Sequence, residues 1–151
     1  MPKTIAVVGA ATAGAELSDR AFAVGRAIAN HGATLICGGR GGVMEAAARG
    51  ARSVGGHTIG VLPSYDRAEA NPHIEFAIAT GMGQARNVIV VASADAVIAL
   101  EGEGGTLSEI GLAIKLGRPV VALDSWSELR QINHANDPAE AVALALRLAG
   151  C

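Results

Sequence analysis

The chain has 151 residues, a mass of 15.1 kDa and a formal net charge of −2, and half of its residues are hydrophobic. This length fits a single domain over residues 1–151, and the apolar content excludes a disordered chain. The balance of 12 Lys and Arg against 14 Asp and Glu argues against nucleic-acid binding and against docking on anionic membranes.

The cysteines and the first residues favour a cytoplasmic protein. Cys37 and Cys151 lie far apart and form no Cys-x-x-Cys pair, so neither a disulfide framework nor a zinc site is expected. The apolar run after Thr4 ends at Gly9, too soon for a signal peptide or a membrane span. The four histidines are scattered without metal-ligand spacing, so no metal is expected.

Short apolar runs alternate with longer Ala-rich segments along the chain, which is typical of an α/β fold. Most runs are continuous, as in parallel strands that helices cover on both faces. The predicted strands are residues 4–8, 34–37, 58–62, 74–79, 96–100 and 120–123. The predicted helices are residues 14–30, 42–54, 82–92, 106–116 and 137–148, the last with Asp137 as N-cap. We therefore predict one doubly wound, mostly parallel sheet with helices on both faces.

In such a sheet, ligands bind outside the carboxyl ends of the strands, so the loops that follow strands are the candidate site. The longest of these connections, residues 63–72, contains two prolines. We predict that it is a mobile surface loop that acts as a lid or a dimer contact.

The first loop, Gly9-Ala10-Ala11-Thr12-Ala13-Gly14, only partly matches a dinucleotide-binding turn. Ala11 stands where that fingerprint needs glycine, and the second strand lacks the acidic residue that would hold a ribose. A nicotinamide-dependent dehydrogenase is therefore disfavoured. Because no Gly-Lys-Ser/Thr follows any glycine cluster, a Walker-type ATPase is excluded. Gly9 and Ala10 remain candidate ligand contacts.

The second loop, Gly38-Gly39-Arg40-Gly41-Gly42, leads directly into a predicted helix. Its glycines leave backbone N–H groups open beside a guanidinium, which suits an anion at a helix N-terminus. Gly39, Arg40 and Gly41 are the candidate binding residues. The alternative is a tight turn whose glycines only permit positive φ angles.

The third loop, residues 101–109, has the sequence Glu-Gly-Glu-Gly-Gly-Thr-Leu-Ser-Glu. Gly102, Gly104 and Gly105 would let a phosphate approach the helix, and Thr106 would offer both its N–H and its hydroxyl. Thr106 and Glu109 also have the spacing of a capping box, in which the two side chains cap the helix reciprocally. The two interpretations are compatible.

Arg86 falls in the first turn of the predicted helix 82–92. A helix N-terminus disfavours cations, so this position predicts that Arg86 meets a ligand anion or a buried carboxylate. A solvated surface arginine is the alternative.

The sequence GGRGGVMEAAARGA, then GMGQARN, then GEGGTLSE, resembles the LONELY GUY (LOG) and molybdenum-cofactor carrier superfamily, whose members are often mislabelled lysine decarboxylases. The resemblance covers Ile5 to about Leu123. It implies a Rossmann-like fold, usually a homodimer, that binds a phosphorylated nucleotide or pterin. The LOG enzymes hydrolyse the N-glycosidic bond of nucleoside 5′-monophosphates, releasing the base and ribose 5-phosphate.

The resemblance also implies roles for individual residues. The PGGxGTxxE motif of the family falls on residues 101–109 and ends at Glu109, and the family's catalytic arginine falls on Arg86. Arg86 and Glu109 are thereby the implied catalytic residues. Glu101 replaces the proline and Glu103 replaces the second glycine, which adds carboxylates near the phosphate loop. The Arg86-Asn87 pair resembles the carrier-like branch.

Two functions follow from this comparison. The first is a nucleoside 5′-monophosphate phosphoribohydrolase. The second is a non-catalytic carrier of a phosphorylated pterin, with the molybdenum cofactor as cargo, or of a nucleotide. Neither needs a resident cofactor. The third hypothesis is a structural or regulatory dimer with a vestigial site.

Overall fold

The computed structural model describes residues 2–150, and over these residues it has seven strands and five α-helices. The strands are β1 (Thr4–Val8), β2 (Thr34–Cys37), β3 (Thr58–Leu62), β4 (Phe76–Ala79), β5 (Ala96–Ala99), β6 (Val120–Leu123) and β7 (Asn133–Ala135). The helices are α1 (Ala15–Asn30), α2 (Val43–Ser53), α3 (Arg86–Ala92), α4 (Gly104–Lys115) and α5 (Pro138–Leu148). Cys151 lies outside the described residues.

The strands form one sheet in the order β4-β3-β2-β1-β5-β6-β7, and every neighbouring pair is parallel. The chain moves outward from β1 to β4 and then returns to place β5 on the other side of β1. The direction of winding therefore reverses between β1 and β5, where doubly wound sheets bind ligands. The predicted fold class is confirmed.

Helices cover both faces of the sheet. The first core cluster packs α1, α2 and α5 against Ile5, Leu35 and Ile98. The second packs α3 and α4 against the opposite face, around Val8, Val97 and Ile110. The strands are buried on both faces between two layers of helices. This burial explains why their sequences are continuous apolar runs.

Glycines in α1 and α2 allow the backbones of these two helices to come into direct contact. A Cβ built on Gly25 of α1 would lie 1.8 Å from the Ala47 carbonyl oxygen of α2. A Cβ on Gly50 would lie 2.0 Å from the Phe22 carbonyl oxygen. Side chains at these positions would separate the two helices, which explains why glycine occupies helix interiors despite its unfavourable propensity.

The predicted elements differ from the structure by more than one residue at four places. The strand β7 was missed because Asn133 and His134 are polar and exposed, so no apolar run marks it. The strand β4 begins two residues later than predicted. The predicted helix 82–92 divides into a 3₁₀ turn, Gly83–Ala85, and α3. The helix α4 begins at Gly104, two residues before its predicted start.

The long connection between β3 and β4 is anchored to the body of the fold. It contains a 3₁₀ turn, Arg67–Glu69, and the buried Asn71, which hydrogen-bonds to the second glycine loop. Asn71 therefore ties the end of this connection to the second glycine loop, and its predicted mobility and its role as a lid or dimer contact stay predictions. The predicted N-cap of α5 is present, since the Asp137 carboxylate accepts a hydrogen bond from the Glu140 N–H at 2.9 Å. No helix within the described part of the chain is long and apolar enough to cross a membrane.

Candidate functional site

A crevice of about 520 Å³ opens at the carboxyl ends of β1, β2 and β5, beside the point where the winding reverses. The loops that line it are joined by backbone hydrogen bonds: the Ala10 N–H donates to the Glu101 carbonyl at 2.8 Å, and the Val43 N–H donates to the Ala10 carbonyl at 3.0 Å. The predicted site residues that line the crevice are Gly9, Ala10, Arg40, Gly41, Arg86, Gly104, Gly105, Thr106 and Glu109.

The N-terminus of α4 forms one wall of the crevice. The first helical residues are Gly104, Gly105 and Thr106, and the backbone N–H groups at such positions have no acceptor within a helix. The side chain of the N-cap residue Glu103 makes no capping hydrogen bond to them. Three amides and the helix dipole therefore face the crevice together, an arrangement that suits a phosphate.

The capping-box interpretation of Thr106 and Glu109 is wrong. Because α4 begins at Gly104, Thr106 is the third residue of the helix and not its N-cap. Both side chains are buried, with exposures of 4% for Thr106 and 8% for Glu109. Glu109 therefore lies in the second turn and has no capping role.

Arg86 is buried at the floor of the crevice, with 7% of its surface exposed, so the reading as a solvated surface residue is wrong. Its Nη1 donates to the Asn87 side-chain oxygen. Its Nε is buried and has no hydrogen-bond partner among residues 2–150. Gly38 makes room for the guanidinium, because a Cβ there would lie 2.7 Å from Arg86 Nη2.

The Glu109 carboxyl lies in the same crevice as Arg86. Burial raises the pKa of Glu109 to about 7, and the charge of Arg86 opposes part of this shift. Burial lowers the pKa of Arg86, and the charge of Glu109 opposes that shift. A carboxyl group that titrates near neutral pH in a cleft is a candidate for acid–base chemistry.

Two predicted binding residues do not line the crevice. Gly39 is buried and has a φ of +79°, and its N–H donates to Cys37 Sγ at 3.4 Å. Gly102 packs against Thr106, whose Oγ1 would lie 2.1 Å from a Cβ at Gly102. The tight-turn interpretation describes Gly39, whereas Gly102 packs closely against Thr106 without a positive φ; ligand contact by either residue stays a prediction.

The two acidic departures from the family motif differ in position. Glu103 is exposed and lines the crevice beside Gly104. Glu101 is exposed and faces a neighbouring hollow that also contains Glu16 and Arg20. Only one of the two carboxylates therefore lies near the proposed phosphate position.

Several residues that line the crevice are not among the site residues predicted from the sequence. Asn87 connects Arg86 to α4, since its Nδ2 donates to Ser108 Oγ at 3.5 Å and Ser108 Oγ donates to the Gly105 carbonyl at 2.7 Å. In the sequence, the position of Asn87 directly after Arg86 is the feature that could have predicted it as a site residue. Other lining residues, Thr12, Met44, Pro63 and Gln84, lie on different loops, and no sequence spacing relates them. Within residues 2–150, no group of three or more His, Cys, Asp or Glu could hold a metal ion.

Residues 2–147 match the model of the SLOG cluster4 family. A relative from Mycobacterium tuberculosis, named cytokinin riboside 5′-monophosphate phosphoribohydrolase, is 38% identical over 82% of this chain and 71% of its own length.

Two solved structures are similar over nearly their whole length. The molybdenum cofactor binding protein from Rippkaea orientalis has a TM-score of 0.92 and 36% identity, and the match covers 98% of both chains. The molybdenum cofactor carrier protein from Chlamydomonas reinhardtii has a TM-score of 0.89 and 35% identity, with 99% of both chains covered.

Proposed function

Because this chain belongs to the SLOG cluster4 family, within the LOG and molybdenum-cofactor carrier superfamily, we propose that its crevice binds a nucleoside 5′-monophosphate and hydrolyses the N-glycosidic bond. The observation that carries this proposal is that Arg86 and Glu109 are both buried and both line the crevice at the N-terminus of α4. Its relative from Mycobacterium tuberculosis is named for this reaction.

The proposed binding mode uses each wall of the crevice. The phosphate accepts hydrogen bonds from the N–H groups of Gly104, Gly105 and Thr106, where the helix dipole stabilises negative charge. The sugar lies between this phosphate and the Glu109 carboxyl. Gly9 and Ala10 also line the crevice, and the Ala10 N–H is bonded to Glu101 in the loop before α4.

The proposed reaction breaks the bond between C1′ of the ribose and the base nitrogen. The bonding electron pair leaves with the base, which takes up a proton, and water adds to C1′ to give ribose 5-phosphate. Ionised Glu109 stabilises the positive charge that develops on the sugar or accepts the proton of the attacking water. Arg86 orients the phosphate or stabilises the departing base.

The test is incubation of the purified protein with AMP and N6-substituted AMP, with release of free base followed by chromatography. We expect turnover by the wild type and a loss of at least about a hundredfold in Glu109→Gln. The control variant Glu140→Gln changes an exposed carboxylate on α5, away from the crevice, and is expected to retain full activity. An absence of turnover with every substrate would remove the hydrolase proposal.

A second candidate is a carrier of a phosphorylated pterin such as the molybdenum cofactor. The supporting observation is the similarity to cofactor binding and carrier proteins across 98–99% of both chains. In this proposal, the amides of α4 hold the phosphate of the cargo and no bond is broken. Acidic iodine oxidation of the purified protein would release a fluorescent pterin if such cargo co-purifies. Fluorescence no higher than that of the buffer alone would contradict the carrier function.

The proposed assembly is a homodimer. Phe76 and Ile78 of the edge strand β4 are 55% and 49% exposed, an apolar surface of the kind that subunit contacts cover. Light scattering is expected to give twice the 15.1 kDa of one chain.

A further inference from the structure

The loop between β3 and β4 is fastened to the loop that carries Arg40. The Asn71 N–H donates to the Gly39 carbonyl at 2.9 Å. The Asn71 side-chain Nδ2 donates to the Arg40 carbonyl at 2.8 Å and to the Gly39 carbonyl at 3.3 Å. These bonds fix the backbone of Arg40, a residue that lines the crevice.

Asn71 is suited to this position by its amide group. It is 8% exposed, and its Oδ1 accepts a hydrogen bond from the His73 N–H at 3.0 Å while its Nδ2 donates to the Arg40 loop. An aspartate has nearly the same shape and could keep the bond to His73. It would, however, place an acceptor opposite two carbonyl oxygens, which leaves buried polar groups unsatisfied.

The same loop supplies a partner for the Arg40 guanidinium. Arg40 Nη1 lies 4.0 Å from Glu69 Oε2, and both side chains are about half exposed. An ion pair this long and this exposed contributes little stability. A ligand anion in the crevice can therefore displace Glu69 from Arg40 at small cost.

We infer that Asn71 is a positioning residue that aims Arg40 at an acceptor group of the bound ligand, and that Glu69 competes with the ligand for Arg40. This inference rests on the proposed function, which places a phosphorylated ligand in the crevice. The ligand then has two recognition points, the amides of α4 and the guanidinium of Arg40, because both lie on residues that line the crevice.

A double-mutant cycle tests the inference, with the dissociation constant of AMP measured by calorimetry. We expect Asn71→Asp and Arg40→Ala each to weaken AMP binding by about tenfold. The double variant is expected to bind no more weakly than Arg40→Ala alone, because Asn71 acts through Arg40. Additive losses of about a hundredfold would show that Asn71 has a general structural role and would overturn the inference.

Glu69→Gln removes the competing carboxylate and keeps the side chain's size. We expect it to tighten AMP binding about twofold to threefold in the wild-type background and to have no effect in the Arg40→Ala background. Equal or weaker binding by Glu69→Gln would contradict the competition.

A ligand-free measurement separates this inference from the proposed function. The Nε–H resonance of Arg40 is expected to shift in both Asn71→Asp and Glu69→Gln. If AMP gives no binding heat with the wild type, the proposed function fails for this nucleotide. The Arg40 resonance still shows whether Asn71 positions Arg40. An unchanged resonance in Asn71→Asp would overturn the role of Asn71.

Discussion

The Glu109 carboxyl and the Arg86 guanidinium share the floor of one crevice, yet the described chain forms no ion pair between them. Neither charge is well hydrated, since the residues are 8% and 7% exposed. A close ion pair would have held the pKa of Glu109 low, whereas burial here dominates and raises the pKa to about 7. The site therefore holds a carboxyl group that can change protonation at neutral pH beside a cation that cannot.

Glu109 is expected to make the protein less stable as the pH rises. Its folded pKa of about 7 lies above the ordinary value of 4.5, so the folded state holds a proton that the unfolded state releases between these pH values. Across this window the free energy of unfolding should fall by up to about 3 kcal/mol with increasing pH. Urea unfolding at pH 5 and pH 8 measures this change.

The matched variants for this measurement are Glu109→Gln and Glu140→Gln. The first removes the buried titrating group and should flatten the pH dependence, while the second removes an exposed carboxylate and should follow the wild type. If Glu109→Gln and the wild type respond equally to pH, burial does not raise the pKa of Glu109.

Removal of the Arg86 charge should raise the pKa of Glu109 further. The positive charge of Arg86 favours the ionised carboxylate and so opposes the effect of burial. We expect a higher pKa in Arg86→Ala, and a pKa close to that of the wild type in Arg86→Lys, which keeps the charge. A ¹³C NMR titration of the Glu109 carboxyl measures both, and a lower pKa in Arg86→Ala would contradict the electrostatic coupling.

Gly38→Ala should impair the site with little effect on stability. The new Cβ would lie 2.7 Å from Arg86 Nη2 and 2.7 Å from Met44 Sδ, which are the flexible ends of long side chains. These ends can move, so we expect a loss of less than about 1.5 kcal/mol in stability but at least a tenfold loss in AMP affinity.

Gly111→Ala is the control for this substitution. Gly111 is an exposed residue of α4 outside the crevice lining, and a Cβ there would meet nothing within 4 Å. Calorimetry measures the AMP affinity of both variants, and urea unfolding measures their stability. Equal AMP affinity in Gly38→Ala and Gly111→Ala would show that the space beside Gly38 does not position Arg86.

The sequence predicted the sheet well because each central strand is a continuous apolar run. β1, β2, β3 and β6 have the predicted bounds, and the order of helices and strands follows the alternation of these runs. β7 could not be predicted in this way, because its stability comes from pairing with β6 and not from its own apolar residues.

The candidate site was harder to predict, because sequence motifs do not show which glycines face a cavity. Gly104 and Gly105 line the crevice. Gly39 and Gly102 lie in glycine-rich loops of the same kind, but they pack against other residues of the fold. Asn71 and Arg40 are 31 residues apart, and only the folded chain brings them together. Contacts of this kind depend on the tertiary structure and leave no local pattern.

Gly102→Ala should destabilise the start of α4. The added Cβ would lie 2.1 Å from Thr106 Oγ1 and 3.1 Å from the Ala10 backbone nitrogen, and the β-branched Thr106 is buried and has few alternative rotamers. Overpacking of this kind costs about 1–3 kcal/mol. Gly104→Ala is the control, since a Cβ there meets nothing within 4 Å and alanine favours the helix. Urea unfolding should show a lower midpoint for Gly102→Ala alone, and equal midpoints would mean that Thr106 does not pack tightly against Gly102.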